Sequence, residues 1–505
     1  MQSGEGTLRR WLPSLDQTWC LLALALVSAF IALVPVAPED FWWHLKVGEI
    51  VATRGIPRAN LFAWSVPSDA PFVYAAWLAD VAMYQAYRLG GLEGPIWLRN
   101  LCGSIGFGLV AAEAYRRSGS WRLAGLATLL AGLMTMNNLT ARPQNLVWVL
   151  MGLFGLLLGA YLAGQVGHRW LLAAIVPLTA LWVNIHGSFI LVPALLGVAV
   201  FGEGVRVLRR EVLVARALWL LAALVASLAA CLLNPIGPGI FGYVQQILSA
   251  SPIQQLASEW QPPSPRSVAG FWFFAATLLL LAAWGIGGRR PSLTDVALAC
   301  ALLWLAYGGG RHVVWFGFFA MPMLAQALVP GRTQSVDRSA AVQHRGDPLA
   351  AAIAALLIAA MVAVQPPLKP RLPLPAGYNG LFAALPGAPQ SYGAETPAVA
   401  AAYLREHPSG GRLFADMGYA SYLIWAVPSE RVFVDPRLEL FSQQQWDDYR
   451  AIGDGRGAAL LKTYAIERVL LSRGKQAALA LTLAGDARWE REFAGGGAEI
   501  WRRKP

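Results

Sequence analysis

Charge is scarce in this chain of 505 residues: Asp, Glu, Lys and Arg make up 14% of it, against roughly 25% in ordinary soluble domains. With 56% hydrophobic residues, that scarcity argues against a string of soluble domains. An aromatic content of 11% argues against a disordered chain. Cysteine is scarce too. Cys20, Cys102, Cys231 and Cys300 all lie inside apolar stretches, so neither a disulfide framework nor a paired-cysteine metal knuckle is available. No internal repeat of fixed period is visible, and no DxD-type nucleotide-sugar motif appears between the apolar runs.

What is present are apolar runs of roughly 17–22 residues, the length that crosses a hydrocarbon core about 30 Å thick. The mean hydropathy is +0.47. The pattern predicts a polytopic, all-α membrane domain with about eleven spans, near 19–37, 95–115, 123–140, 144–163, 170–185, 188–205, 217–233, 268–286, 293–308, 312–329 and 348–364. The first run resembles a signal peptide, but cleavage after Ala37 would leave Pro38 at the next position, so it is read as an anchor.

The net charge of +11 raises the possibility of nucleic acid, and its placement argues against it. The arginines cluster in short loops between apolar runs rather than along one face. Residues 72–90 decide the topology. If they lie at the interface as an amphipathic helix, one side collects Arg9, Arg10, Arg116, Arg117, Arg122, Arg169, Arg206, Arg209, Arg210, Arg216, Arg289, Arg290, Arg332, Arg338 and Arg345. The short loops opposite then hold only Arg142, Arg266 and Arg311. The positive-inside rule favours that arrangement. It implies a multi-pass protein of a bacterial cytoplasmic (inner) membrane with a cytoplasmic N-terminus.

The expected organisation is a transmembrane domain over 1–364 with a first outer loop at 38–94, a Pro/Gly-rich linker over 365–392, and an extracytoplasmic α/β domain over 393–505. In that last part, 412–416, 431–435 and 467–472 read as buried strands. Residues 396–406, 418–426, 442–452, 457–464 and 474–484 read as helices.

On this topology the unusual polar residues share one side. Glu39 and Asp40 follow the first span, with His44 one turn on. Arg142 and Gln144 stand in TARPQN, Asn184 and His186 in WVNIHGS, and Arg311 with His312 in GGGRHV. Each has an ordinary explanation: snorkelling arginines, helix caps, a lipid-head contact. Their shared sidedness favours one polar outer cavity. The Glu39–Asp40 pair itself allows three readings. It can start an interfacial helix, ligate a divalent cation, or supply a general base.

The stretch EDFWWHLKVGEIVATRGIPRANLFAW, with the Gly55–Pro57 turn, the Trp77-containing interfacial segment, Gly90–Gly91 and Arg99, resembles the GT-C glycosyltransferases. These polytopic enzymes use polyprenyl-phosphate-linked sugars, and include the protein O-mannosyltransferases and the aminoarabinose transferase of lipid A. The motif D-x-W-W-H-L (Asp40, Trp42, Trp43, His44, Leu45) is also similar to that of a bacterial membrane family grouped with them that has no assigned substrate. SDAPFVY stands where a lysine–diproline motif is common in GT-C enzymes.

The resemblance implies a membrane glycosyltransferase of the cell envelope. It would move a sugar from a polyprenyl (undecaprenyl) phosphate carrier to an extracytoplasmic acceptor: a lipid, a glycan or a protein. It implies Asp40 as catalytic base with Glu39 as alternative base or orienter. Arg142, Arg311 and His312 would bind the donor phosphate, and His44, Asn184, His186 and Gln144 would line the sugar and acceptor pocket. No cofactor is implied firmly, and any divalent cation would fall to Glu39 and Asp40. Two other classes remain open: a transporter or flippase of a lipid-linked glycan that makes no bond, and a scaffold whose tail uses Asp416 or Asp435 to meet a partner.

Overall fold

The computed structural model describes residues 12–249, 258–287, 289–330, 347–372 and 391–505. Arg9, Arg10, Arg332, Arg338 and Arg345 of the basic loops, and most of the expected linker, lie outside them. The chain opens with α1 (Leu15–Leu33), capped by a reciprocal Ser14–Gln17 box, the device that satisfies two free N–H groups at a helix start. Two helices of the stretch 38–94, expected as the first outer loop, follow, α2 (Asp40–Arg54) and α3 (Trp77–Gly90). Next come α4 (Glu93–Ser118), α5 (Trp121–Met134), α6 (Pro143–Leu162), α7 (His168–Trp182), α8 (Leu191–Leu208) and α9 (Val214–Ala230). Then α10 (Gly239–Ser249) precedes α11 (Val268–Ile286), α12 (Leu293–Tyr307), α13 (Val313–Ala327) and α14 (Pro348–Ala363).

Each of the eleven apolar segments thus carries one helix. Four stretches, Leu15–Leu33, Pro143–Leu162, Gly187–Leu208 and Val268–Ile286, are long and apolar enough to cross a membrane by length and composition. Large apolar side chains face outward from the bundle: Leu278 is 67% exposed, Leu356 69% and Trp304 83%. So much outward apolar surface suits lipid rather than water.

Small residues set the packing inside the bundle. A Cβ on Gly106 of α4 would come within 3.0 Å of Trp148 Cβ on α6, so glycine there lets the two backbones close around a fully buried Trp148. The arginine-rich helix ends are more than topology markers. Buried Glu113 pairs with Arg116 and Arg117 at 2.6 Å each. Buried Glu203 binds Arg206 at 2.7 Å, Arg216 at 2.9 Å and Thr294 Oγ1 at 2.6 Å. Charges so deeply buried are tolerated because each is paired.

The C-terminal part comprises α15 (Ala398–Glu406), β1 (Arg412–Ala415), α16 (Met417–Ala426), α17 (Gln443–Gly453), α18 (Ala458–Thr463), β2 (Ile466–Ser472), α19 (Ala477–Ala484), β3 (Trp489–Gly495) and β4 (Ala498–Arg503). Its four-stranded sheet has the order β1-β2-β4-β3, with β1 parallel to β2 and the other pairs antiparallel.

One expectation needs correction: residues 431–435 do not join the sheet. Val432 instead pairs with the loop between α2 and α3: Trp64 N donates to Val432 O at 2.9 Å, and Val432 N to Phe62 O at 3.1 Å. The apolar run is buried, but under the loop rather than between strands. The sheet is completed by the hairpin β3–β4, in which Glu490, Arg491 and Glu492 interrupt the apolar pattern of a buried strand. Its turn is Gly496–Gly497, both at positive φ (58° and 79°), the conformation a two-residue hairpin demands.

The tail is anchored at three further points. The Ser421 hydroxyl accepts from Trp43 N at 3.4 Å and donates to Glu39 O, so it serves the first turn of α2 from another part of the chain. Trp64 Nε1 donates to Leu413 O at 2.9 Å. Arg437, fully buried with Asp435, donates to Asp435 at 2.7 Å, to Tyr74 Oη at 3.0 Å and to Asn60 Oδ1 at 3.0 Å. Its guanidinium also lies over Phe62 and Phe72. First outer loop and tail therefore pack as one body.

Candidate active site

A cavity of about 950 Å³ lies between the helix ends and the tail. It takes in eight of the nine residues singled out from the sequence: Glu39, Asp40, His44, Arg142, Gln144, His186, Arg311 and His312. Asn184 does not line it. Its Oδ1 accepts from Trp77 Nε1 at 2.8 Å, and its Nδ2 donates to Ala180 O and Leu233 O at 2.8 Å each. Asn184 ties the start of α3 to the ends of α7 and α9, so a pocket role is replaced by a fastening one.

Asp40 opens α2. Its carboxylate meets Trp43 Nε1 at 3.5 Å and Arg142 Nη1 at 3.8 Å, contacts loose enough to leave it available. Glu39 differs. Burial raises its pKa, Arg142 opposes the rise, and the Asp40 and Glu259 charges reinforce it.

Arg142 caps α6, where Pro143 takes the first helical position and Asn145 Oδ1 accepts from Arg142 N at 2.9 Å. Arg311 sits on a one-turn 3-10 helix, Gly310–His312. Its approach is set by glycines: a Cβ on Gly309 would come within 3.2 Å of Trp260 O. The Arg311 guanidinium lies 4.5 Å from the Trp260 ring centroid. Both arginines converge on one carboxylate, Glu259, which touches Arg142 Nη1 and lies 3.1 Å from Arg311 Nη1. Burial alone would raise the pKa of Glu259, but Arg142 and Arg311 together hold it below the ordinary range.

The two histidines at this junction are neutral at pH 7. Burial and then the Arg311 charge push His312 down to about 4. Burial, Arg311 and Arg142 push His186 well below its usual value. A neutral His312 meets a phosphate as a hydrogen-bond donor through a ring N–H rather than as a third cation beside Arg142 and Arg311. His186 Nδ1 accepts from Ser188 N at 3.0 Å, which leaves Nε2 to carry the ring proton.

His44 belongs to a separate buried pair, with Nδ1 2.7 Å from Asp80 Oδ1. A side chain on Gly48 would strike the Asp80 carbonyl, so glycine brings α2 and α3 close enough for the pair to form. Burial raises the Asp80 pKa while His44 opposes it.

Three further residues matter that no motif in the sequence marks. Glu259 stands in ASEWQPP, where an acid beside Trp in an acid-poor stretch is its one signal. Asp80 lies in a segment whose amphipathic pattern gives a polar residue no special weight, yet it is the buried partner of His44. Glu439, contributed by the tail, lines the cavity, and burial moves it from 4.5 up to about 7.

The cavity also has an apolar lining from α8 (Leu191, Leu195, Val198), α12 (Leu302, Trp304, Leu305) and α10 (Val244, Ile247), and Trp304 among these is 83% exposed on the bundle. The tail contributes a polar lining, with Asp416, Arg450, Asp454 and Lys475. Among the described residues no three His, Cys, Asp or Glu side chains converge to hold a metal ion.

No family model and no curated protein matches the sequence. Solved structures do. ArnT from Cupriavidus metallidurans, bound to undecaprenyl phosphate, matches with a TM-score of 0.50 at 16% identity, over 95% of this chain and 97% of that one. The archaeal oligosaccharyltransferase AglB from Archaeoglobus fulgidus, in complex with an inhibitory peptide and a dolichol-phosphate, matches with a TM-score of 0.53 at 12% identity, over 96% and 74%. The arabinofuranosyltransferase AftD from Mycobacteria matches with a TM-score of 0.55 at 16% identity, over 95% of this chain and 41% of the larger protein. All three are GT-C glycosyltransferases, and this chain has their fold.

Proposed function

We propose that this protein is an integral-membrane glycosyltransferase that moves a sugar from a polyprenyl-phosphate carrier to an extracytoplasmic acceptor, with Asp40 as general base. The single observation that carries the reading is the convergence, in one cavity of this fold that also has apolar lining, of a loosely held carboxylate with the buried Arg142 and the half-buried Arg311. The eleven apolar helices are taken as spans, with the cavity and tail on the outer side of a bacterial inner membrane.

In this reading the isoprenoid lies along the apolar lining of α8 and α12, and the carrier phosphate meets Arg142 and Arg311. The acceptor enters along the polar lining from the tail. Its hydroxyl gives its proton to Asp40 as its oxygen bonds the sugar's anomeric carbon, and the bond from that carbon to the phosphate oxygen breaks. The leaving phosphate is an anion, so its stabilisation replaces an acid. Arginine suits this because its planar donors pair with phosphate oxygens, and fixed charges in a water-poor site act without reorganising.

The test is transfer in lipid by the purified full chain, with radiolabelled undecaprenyl-phosphate sugars and a native membrane extract. Label that moves to an acceptor with wild type but not with Asp40→Asn supports the reading. Label that stays on the carrier while changing leaflet overturns it in favour of a transporter.

A further inference from the structure

Glu259 is the residue the proposed chemistry leaves without a task. Its carboxylate lies between two guanidinium groups in the way a phosphate oxygen pair would, and among the described residues its hydrogen-bond and ion-pair partners are Arg142 and Arg311. A carboxylate built in as permanent scaffolding usually gains a backbone N–H or hydroxyl donor as well. Among the described residues Glu259 has neither.

The backbones that carry the arginines, by contrast, are held without it. The Arg142 backbone is fixed through Pro143 and the Asn145 cap. Arg311 lies against the Trp260 ring, and its carbonyl accepts from Gln144 Nε2 at 3.4 Å. Arg142 Nε is buried with no hydrogen-bond partner among the described residues, so the guanidinium has donor capacity that Glu259 does not use. Glu259 itself stands on a single 3-10 turn, Ser258–Trp260, which can shift at less cost than a packed helix.

We propose that Glu259 is an internal surrogate for the donor phosphate, competing with it for the same two guanidinium groups and giving way when the lipid-linked donor binds. This rests on reading Arg142 and Arg311 as the phosphate site. The competition keeps the two like charges paired, and it makes apparent donor affinity the intrinsic affinity reduced by the fraction of molecules in which Glu259 has released them. It also selects ligands. An anion strong enough to displace a doubly paired carboxylate enters, whereas an uncharged isoprenoid alcohol does not.

The experiment measures undecaprenyl phosphate binding to the full chain in lipid nanodiscs for wild type, Glu259→Gln, Glu259→Asp and Arg311→Gln, with thermal unfolding of each as the folding control. Surrogacy predicts that Glu259→Gln binds about tenfold tighter or better, since the competitor has lost its charge. Donor KM falls to match, with no gain in kcat. Glu259→Asp, too short to hold both arginines, falls between the two and serves if the glutamine variant does not fold. Equal or weaker binding by folded Glu259→Gln or Glu259→Asp overturns the inference, because Glu259 is then scaffolding. If Arg311→Gln binds like wild type, the donor-site assignment under the proposed function fails instead.

Discussion

Asp40 Oδ2 stands 3.8 Å from Arg142 Nη1, near enough to feel the cation and too far for a committed ion pair. A carboxylate so placed is not locked to a partner, while the same arginine faces Glu259. The proposed base and the proposed anion-binding groups are thereby joined through one side chain.

Asp40→Asn should lower transfer by about 10²- to 10⁴-fold, the usual contribution of a general base, while undecaprenyl phosphate binding stays close to wild type. Glu39→Gln should cost much less, because among the described residues the Glu39 side chain makes no hydrogen bond or ion pair with Arg142, whereas Asp40 stands 3.8 Å from it. Single-turnover transfer and binding measured on the same preparations check both expectations.

Arg311→Lys keeps the charge but loses the planar donors and the stacking on Trp260. Donor affinity should fall about tenfold, in line with the loss of one hydrogen bond to a charged group. Binding of undecaprenyl phosphate to the variant in nanodiscs measures this.

Arg437→Met should loosen the tail. It leaves Asp435 buried without its partner, and breaking a buried pair in this way costs about 3–5 kcal/mol. Limited proteolysis should cut between the helical part and the C-terminal part sooner than in wild type. Asp435→Asn together with Arg437→Met should recover part of the loss, since no charge is then stranded.

Glu439 gives a pH signature. Its folded pKa is raised from 4.5 to about 7, chiefly by burial, so between those values the folded chain binds more protons than the unfolded one. Stability should therefore fall as pH rises from 4.5 to 7 through this group. Glu439→Gln should match wild type near pH 4.5 and unfold at a higher temperature at pH 8. Thermal unfolding at the two pH values decides it.

Much of this molecule was legible because membranes and helices impose strict periods. The apolar runs mark each of the eleven helical segments. The shared placement of Asp40, Arg142, His186 and Arg311 at the ends of apolar runs points to the one cavity that they line. The tail was read less well. Residues 431–435 are as apolar as a strand should be, but burial carries no label of what does the burying, and the first outer loop does it. The hairpin at 489–503 was hidden by charges on its exposed faces.

By itself, the sequence determined the bundle, the side on which polar groups gather and the α/β character of the tail, since local periodicity and charge placement decide these. Only the tertiary structure decided the partners. Asn184 fastens helices rather than lining the cavity, Asp80 holds His44, and Glu259 meets two arginines that lie 117 and 52 residues from it. Those pairings depend on glycines such as Gly48 and Gly309 letting separate backbones approach. Such closeness is a property of packing, which no single stretch of chain encodes.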